Sequence, residues 1–591
     1  MELQYRTQAL EAYQAAGTQN HVAQELFAIG SLYFDQGKTD QALDYFNQAL
    51  EIQKRSGDRI NQAHLIGSIG AVQEKLGNDQ QALDLYKEAI AIDESVRSAT
   101  KVVEIRTGVE QEFVKVFRRA VLLSMRLNQK ELAFQFSEQS RARTLLDQVA
   151  DTRASASSRL PANLAKQERD LDMEIRVLER SIGALENQPM AGPDPSNPTD
   201  SLPTLQNKLT LKQREYEDLL TRISAVDPEY ASLRTSKLPS LSSIQKSLDP
   251  RTTLLSYFVT PDTTIAFVIT NHSFQANSLP VKQEELRKEI TEFRDFATLS
   301  EPHPQCLRDL YDQLIRPLQD YLSAPILGLS PDGILNYLPF AALADGNSLF
   351  GDRHALFFLP SVSMLPVVLS QRKPTQGGVL ALANSRASGL PFLDYADSTV
   401  ERVANLYRTH ALIGDKATET AVLSDAKDSS IVFLAAHATL NVTAPLFSRI
   451  VLVPDSENDG FLDVRHIYDL DLREKTNLVV LSACQTVLGK QSSGDEIIGL
   501  NRAFLYAGSP SVIASLWSVR EKQTGELMEA FFAHLHGGMC KGEALRAAQS
   551  EIRAKYPHPY YWASFILTGN PGDCRGSLPA LRKPVEPSPV H

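Results

Sequence analysis

The sequence contains few cysteines: Cys306, Cys484, Cys540 and Cys574 in 591 residues. Their wide and irregular spacing matches neither a disulfide framework nor a zinc-binding motif. Unpaired thiols persist in a reducing compartment, so this pattern predicts a cytoplasmic protein with free cysteines. We expect Cys306, Cys540 and Cys574 to be structural, because no histidine-bearing motif accompanies them.

Long apolar runs and an excess of basic residues are also missing. No apolar run approaches the roughly 18 residues of a membrane span, and the first residues lack the blocks of a signal peptide, so we expect no membrane association. The formal net charge is −11, from 60 basic and 71 acidic side chains. Phosphate backbones are bound by clustered Lys and Arg, so direct nucleic-acid binding is not expected. Without a glycine-rich phosphate loop or a ligand cluster, the sequence predicts no nucleotide or metal cofactor.

An internal repeat dominates the first 150 residues. Small and aromatic residues recur at an offset of 40: Gly30, Ala42, Phe46 and Ala49 return as Gly70, Ala82, Tyr86 and Ala89. The pattern resembles the tetratricopeptide repeat (TPR), a helix–turn–helix unit of about 34 residues, here with longer helices. The small residues predict close approach of the paired helices, with the aromatic rings filling the gaps between neighbours.

The same offset extends to the start of the chain. Ala9 aligns with Ala49 and Gly17 with Gly57, which predicts that the chain begins inside a repeat of a longer natural protein. A stack of such repeats presents a concave surface. We therefore expect a regulatory protein or complex to dock there, although a purely stabilising role for the stack is the alternative.

A helical hairpin is predicted after the repeats. Residues 163–185 and 205–223 show helical spacing of apolar residues, and the prolines between them cannot continue a helix. Beyond residue 251 the pattern changes to short apolar runs that alternate with helices. The predicted strands are 253–259, 264–270, 325–329, 378–383, 431–435, 478–481 and 512–515. This alternation predicts an α/β fold with a mainly parallel sheet.

Two of these strands lead into chemically reactive residues. His437 follows one strand and Cys484 follows another, 47 residues later. Caspases place their His about 50 residues before a Gln-Ala-Cys signature. Sites in such sheets form at the carboxyl ends of strands, where a thiolate nucleophile and an imidazole base would meet.

Several further segments are similar to the CHAT family of caspase-like domains, which often follow TPRs. They are SPDGILNYLPFAAL (330–343), AHA (436–438), LSACQT (481–486), GLNRAF (499–504) and PYYWASF (559–565). The resemblance implies a caspase-like sheet, peptidase chemistry, Cys484 as nucleophile and His437 as general base. It also implies that residues 251–375 form a related inactive half, and it suggests a role in bacterial defence or cell death.

Further site residues are expected around His437 and Cys484. Backbone N–H groups of Cys484 and Ala438 would form an oxyanion hole. Caspases have Gly where this sequence has Ala438. The expected pocket residues are Gln485, Thr486, Asp495 and Glu496. The two carboxylates would either receive a basic substrate side chain or cap the helix that starts near residue 497, and we favour the cap.

The sequence thus predicts a multidomain protein, in which all-α TPR-like repeats and a helical hairpin precede an α/β caspase-like domain. We expect a cysteine endopeptidase that cleaves protein substrates docked through the repeats. A catalytically silent scaffold and a peptidase relative acting on a small amide are the alternatives. The expected divisions are 1–150 (repeats), 151–247 (hairpin), 248–375 (inactive half), 376–573 (catalytic half) and 574–591 (disordered tail).

Overall fold

The computed structural model describes ten continuous ranges and part of residues 163–222. The ranges are 2–99, 103–141, 238–294, 305–346, 348–371, 378–387, 389–439, 448–482, 495–517 and 520–574. The chain divides into two compact units, residues 1–238 and 239–591. The expected disordered tail beyond residue 574 lies outside the described residues.

The first unit is a stack of antiparallel helices. Its helices are α1 (Glu2–Ala15), α2 (Gln19–Asp35), α3 (Thr39–Ser56), α4 (Arg59–Lys75), α5 (Asp79–Ala99), α6 (Val103–Arg126) and α7 (Lys130–Arg141). Consecutive helices pack against each other, which confirms the predicted helical repeats. The repeat region was expected to extend to residue 150, and residues 142–150 lie outside the described residues.

Glycines spaced by 20 residues end the first four helices of this unit. Gly17, Gly37, Gly57 and Gly77 have φ angles of 69°, 76°, 78° and 82°. A residue in this left-handed region stops a helix, and glycine adopts it without a steric penalty. Asn128, with φ 57°, does the same between α6 and α7. The 40-residue repeat therefore consists of two helices of similar length, and a residue with a positive φ angle ends the helices in the same way.

Two other glycines allow the paired helices to touch. A Cβ atom on Gly30 would lie 2.7 Å from the Phe46 ring, and one on Gly70 would lie 2.8 Å from the Tyr86 ring. Both rings are buried. This confirms that small residues recur at these positions because the paired helices approach each other closely there.

The described residues between 163 and 222 are helical. Lys212 Nζ lies 2.9 Å from the Glu174 carboxylate, and the Arg222 guanidinium donates to Gln167 at 3.3 Å. Lys212 precedes Arg222 in the sequence, whereas its partner Glu174 follows Gln167. The order of the contacts is therefore reversed between the two helical runs, so these runs lie antiparallel.

The second unit is built on strands. They are β1 (Thr252–Val259), β2 (Thr264–Ile269), β3 (Phe274–Leu279), β4 (Ile326–Ser330), β5 (Ala355–Phe358), β6 (Gly378–Ala383), β7 (Ala411–Ile413), β8 (Ser429–Ala435), β9 (His437–Thr439), β10 (Arg449–Val451), β11 (Phe461–Asp463), β12 (Leu478–Leu481), β13 (Ser511–Ser515) and β14 (Phe565–Gly569). Apolar, buried stretches such as β8 and β12 are typical of strands covered on both faces.

Among the described residues these strands form an 11-stranded sheet in the order β3-β2-β1-β4-β5-β14-β13-β12-β8-β6-β7. Most neighbouring pairs are parallel, which confirms the predicted α/β class. The pair β13–β14 is antiparallel and joins two runs of parallel strands, β1-β4-β5-β14 and β13-β12-β8-β6-β7, while β2 and β3 at one edge of the sheet pair antiparallel. The two runs therefore point in opposite directions, and the carboxyl ends of β8 and β12 lie at the same edge.

Helices follow and cover the strands. They are α8 (Leu241–Ser247), α9 (Gln283–Arg294), α10 (Gln305–Leu314), α11 (Phe350–Arg353), α12 (Leu365–Ser370), α13 (Ala396–Leu406), α14 (Glu419–Asp425), α15 (Val464–Tyr468), α16 (Asp495–Tyr506), α17 (Glu521–His536) and α18 (Lys541–Lys555). None of the described helices of the protein has the length and apolar character needed to cross a bilayer.

A smaller sheet in the order β11-β10-β9 stands beside the carboxyl end of β8. In it His437 is paired with Val451 and Ala438 with Ile450. Ala438, Ile450 and Leu462 belong to the same buried cluster as Val432, Leu434 and Val479 of the main sheet. The strand that carries His437 is thus anchored in the core of the second unit.

The expectation that no cysteine forms a disulfide is wrong for Cys540 and Cys574. Their sulfurs are bonded, with Cα atoms 5.0 Å apart across 34 residues. The Gly542 N–H donates to the Pro571 carbonyl, and this contact brings the chain after β14 over the start of α18. Cys306 is free and buried on α10, in agreement with a structural role.

Candidate active site

The predicted catalytic residues follow two neighbouring strands. β8 and β12 are parallel, with Leu434 opposite Leu481. The Ser482 N–H donates to the Leu434 carbonyl at 2.9 Å. The two strands therefore remain hydrogen-bonded one residue beyond the last paired residue of β12. His437 is described, whereas Cys484 lies outside the described residues, as do Gln485 and Thr486.

His437 is held by the backbone of a loop. Its side chain is 1% exposed, and Nε2 lies 2.8 Å from the carbonyl oxygen of Pro391. A carbonyl only accepts, so Nε2 carries the proton and donates. Nδ1 is buried and has no hydrogen-bond partner among the described residues. In the neutral imidazole, Nδ1 is therefore a base with a free lone pair.

The loop that carries Pro391 is tied to the strands around it. The Asn384 N–H donates to the Ala435 carbonyl and its side-chain amide donates to the Val451 carbonyl, both at 3.0 Å. Asn384 therefore joins the end of β8 to the residue that pairs with His437. Further along, the Leu393 N–H donates to the Ser385 carbonyl at 3.0 Å, which closes the loop around Pro391.

A carboxylate lies close to this histidine. Glu521 is the first residue of α17, and its carboxylate accepts a hydrogen bond from the Tyr395 N–H at 3.2 Å. Burial raises the pKa of Glu521, an effect opposed by backbone N–H groups and by the charge of His437. The structure thus places an acidic group, Glu521, within electrostatic range of His437.

The other predicted site residues are only partly described. Ala438 lies on β9 directly after His437. Asp495 and Glu496 occupy the first turn of α16, the position that the capping interpretation requires, although their side chains lie outside the described residues. Among the described residues, no group of His, Cys, Asp and Glu side chains is arranged to hold a metal ion.

Three residues of this site were missed in the sequence: Pro391, Asn384 and Glu521. Pro391 contacts His437 through its backbone carbonyl. Every residue has this group, so the residue type does not show where the carbonyl points. Asn384 follows β6 at the same edge of the sheet as His437. Its position directly after a predicted strand was the signal in the sequence that could have identified it. Glu521 is the first residue of α17, and its approach to His437 depends on how that helix packs, which the sequence does not reveal.

Comparison with known families agrees with this geometry. The CHAT domain family model matches residues 304–570, and a tetratricopeptide repeat model matches residues 3–55 and 21–95. The protein carries a CHAT domain behind N-terminal TPRs. The CHAT match runs from α10 to β14 and leaves out β1, β2 and β3, while His437 and the end of β12 lie inside it.

Curated relatives share part of this arrangement. The chain is 28% identical over 331 residues to mouse tetratricopeptide repeat protein 28, covering 45% of this chain and 13% of that protein. It is 24% identical over 497 residues to human tetratricopeptide repeat protein 28, covering 74% and 18%. The chain thus spans less than a fifth of the length of these relatives.

Two solved structures resemble the chain more distantly. The Saccharomyces cerevisiae separase–securin complex aligns with a TM-score of 0.42 and 10% identity, covering 93% of this chain and 50% of that chain. The Arg-specific cysteine proteinase gingipain R (RGPB) aligns with a TM-score of 0.31 and 13% identity, covering 49% and 76%.

Proposed function

We propose that the CHAT domain is a cysteine endopeptidase in which His437 and Cys484 act as a catalytic dyad. The observation that carries the proposal is the state of His437. The Pro391 carbonyl fixes the proton on Nε2, so the buried Nδ1 remains available to accept a proton. A histidine that only stabilises the fold would have both ring nitrogens satisfied.

The position of Cys484 in the sequence fits this role. Leu434 and Leu481 are paired, and His437 and Cys484 are each three residues beyond them. Parallel neighbouring strands bring equivalent positions to one edge of the sheet. This supports a thiol within reach of Nδ1, because each of the two residues stands three positions beyond a paired strand residue in the sequence.

The chemistry follows from these two groups. The Cys484 thiol gives its proton to Nδ1, and the thiolate attacks the scissile carbonyl. The backbone N–H groups of Cys484 and Ala438 stabilise the oxyanion, where one donor is worth about 10²–10³ in rate. The imidazolium protonates the leaving amine, and water then hydrolyses the thioester with His437 again as base.

The TPR unit gives the peptidase a docking surface. Repeat stacks use their concave face to bind proteins, so we assign the substrate, or a regulatory partner, to the helices α1–α7. A role in bacterial defence or cell death rests on the family resemblance. The alternative is a silent scaffold that binds partners through the same repeats.

The test is covalent labelling by an electrophilic peptide probe. Native protein, Cys484→Ala and His437→Ala are compared, with intact mass and peptide mapping as readout. We expect labelling at Cys484 that is absent in Cys484→Ala and about 10²-fold slower or more in His437→Ala, as for loss of a general base. Labelling that is unchanged in His437→Ala, or no labelling with docked partners present, would favour the scaffold.

A further inference from the structure

A cavity of about 40 Å³ lies where the two parallel runs of the main sheet meet. Asn501 and Arg502 of α16 form one side of it, and Ile566 and Thr568 of β14 form another. Leu516, which directly follows β13, also lines it. The cavity therefore touches both runs at the antiparallel pair β13–β14. Its volume corresponds to about three water molecules, or to a small flat group of similar size.

The cavity has a mouth formed by half-buried residues. Asn336 and Tyr337, from the segment after β4, are half-buried, as are Pro360 and Arg502. Phe358, which lines the interior, is buried. A ligand can thus enter beside Tyr337 and Pro360 and place its end among apolar side chains.

An asparagine inside the cavity has an unused acceptor. Asn501 is 3% exposed, and its Nδ2 donates to Thr568 Oγ1 at 3.4 Å. Its Oδ1 is buried and has no hydrogen-bond partner among the described residues. A buried carbonyl oxygen in this state costs stability unless a donor satisfies it. The cavity that Asn501 lines therefore calls for a ligand with a hydrogen-bond donor.

The charges around the cavity are positive. Arg502 lines it, and the described residues that line it include no Asp or Glu. The Arg294 guanidinium lies 4.6 Å from the centroid of the Tyr337 ring and donates to the Leu516 carbonyl at 3.4 Å. A second cation thus stands against two of the lining residues. A ligand that carries a cation is disfavoured here, whereas a ligand oxygen is attracted.

We propose that this cavity binds a primary carboxamide at the end of a short aliphatic chain, as in glutamine. The amide N–H donates to Asn501 Oδ1, and the amide oxygen accepts from Arg502. The methylene groups contact Tyr337 and Pro360 at the mouth. A carboxamide is flat and consists of one carbon, one oxygen and one nitrogen atom, a size that the cavity accommodates. This site is distinct from the proposed dyad, and binding to it does not require peptidase activity.

Other small groups match these partners less well. A carboxylate accepts from Arg502, but it has no donor for Asn501 Oδ1 and repels that oxygen. Ammonium and guanidinium groups donate to Asn501 Oδ1, but they meet the positive charge of Arg502. A thioether or methyl end leaves both polar side chains unpaired, which weakens binding.

The experiment follows the δ1-methyl NMR signal of Ile566 in the full chain, because Ile566 lines the cavity. The signal is assigned with Ile566→Val. The ligands are glutamine, glutamate, lysine and methionine, each blocked as the N-acetyl N-methylamide. For blocked glutamine we expect a saturable shift with a Kd on the order of 1 mM, as for other small ligands. The other three should bind at least about 10-fold more weakly.

Two variants test the assigned hydrogen bonds. Asn501→Leu keeps the size of the side chain and removes the acceptor, and Arg502→Met removes the donor. Each should weaken the binding of blocked glutamine about 10-fold. Gln549→Leu is the matched control, because Gln549 is a buried amide that donates to the Phe565 carbonyl of β14 and does not line the cavity. It should change the Kd by less than about twofold.

The same assay identifies the source of the carboxamide. Free L-glutamine carries an ammonium and a carboxylate in place of the blocking groups. Tighter binding of free glutamine assigns the ligand to the free amino acid, and tighter binding of the blocked form assigns it to a side chain of a protein. Cys484→Ala should bind as the wild type does, so failure of the peptidase proposal leaves this site intact.

Several outcomes would overturn the carboxamide site. They are equal binding of blocked glutamine and methionine, tighter binding of glutamate, and no shift with any ligand, which would show that the cavity holds water only. If Asn501→Leu or Arg502→Met loses the native methyl spectrum, the ranking of the four blocked ligands on the wild type decides the question by itself.

Discussion

The carbonyl oxygen of Pro391 lies 2.8 Å from Nε2 of His437 and so decides which ring nitrogen carries the proton. The contact orients the imidazole, and Nδ1 has no hydrogen-bond partner in the part of the chain that the structure describes. The loop must therefore be rigid for the histidine to act as a base, and the chain fixes that loop through Asn384.

Replacing Asn384 by Ala should lower kcat about 10-fold and change KM little, because His437 loses its alignment while substrate binding persists. Kinetics on a cleaved peptide checks this. Asn570→Ala is the matched control, since Asn570 is equally buried and its amide donates to the Val368 carbonyl away from the site. Loss of activity in both variants alike would show that instability, not alignment, is responsible.

Thiol reactivity should differ sharply between Cys484, the proposed nucleophile, and the buried free thiol of Cys306. Burial raises the pKa of Cys306 to about 11, so its thiolate is scarce at neutral pH. With iodoacetamide at pH 7.5, Cys484 should be alkylated at least about 10²-fold faster than Cys306 in the native protein. Mass spectrometry with isotopically paired reagent checks this. After denaturation the two rates should converge, and rapid native labelling of Cys306 would contradict the prediction.

The stability of the second unit should fall with acid because of His354. Burial lowers the pKa of this histidine from 6.5 to about 4, so between those values the unfolded chain binds a proton that the folded chain does not. Stability is therefore full above pH 6.5 and decreases by about 3 kcal/mol as the pH falls to 4.

Denaturant titrations between pH 4 and 8 measure this dependence. His354→Gln should flatten the curve across that window, whereas His272→Gln, at an exposed histidine, should leave it unchanged. An equally steep curve in His354→Gln would assign the acid sensitivity to other groups.

The close approach of helices in the repeats can be tested at Gly30. Although Ala favours helix by about 1 kcal/mol, Gly30→Ala should destabilise the repeats by about 1–3 kcal/mol, because the new Cβ would lie 2.7 Å from the Phe46 ring. Thermal unfolding followed by circular dichroism checks this. In a Phe46→Leu background the same change should become neutral or stabilising; an unchanged penalty would show that Phe46 is not the obstacle.

Reduction of the disulfide should also destabilise the second unit. The bond between Cys540 and Cys574 closes a loop of 34 residues, which corresponds to about 3–4 kcal/mol of stability. The double variant Cys540→Ser, Cys574→Ser should show this loss and should no longer respond to reductant. If reductant shifts the melting temperature of wild type and variant equally, the effect arises elsewhere.

Local sequence pattern determined much of this protein. Repeats at a fixed offset identified the helical stack, because each unit buries the same residues against its neighbours. Buried parallel strands such as β8 and β12 are continuous apolar runs, so they were found with almost correct bounds. Short strands, including β7 and β9, have only three residues and show no periodicity that a sequence reveals.

Tertiary structure alone decided the surroundings of His437 and the pairing of distant residues. A carbonyl such as that of Pro391 is common to all residues, so only folding selects which one faces the imidazole. Glu521 reaches the site because α17 begins beside α13, and Cys540 meets Cys574 because β14 returns the chain to the start of α18. These contacts join residues far apart in sequence, and their physical cause is the packing of the sheet rather than any local preference.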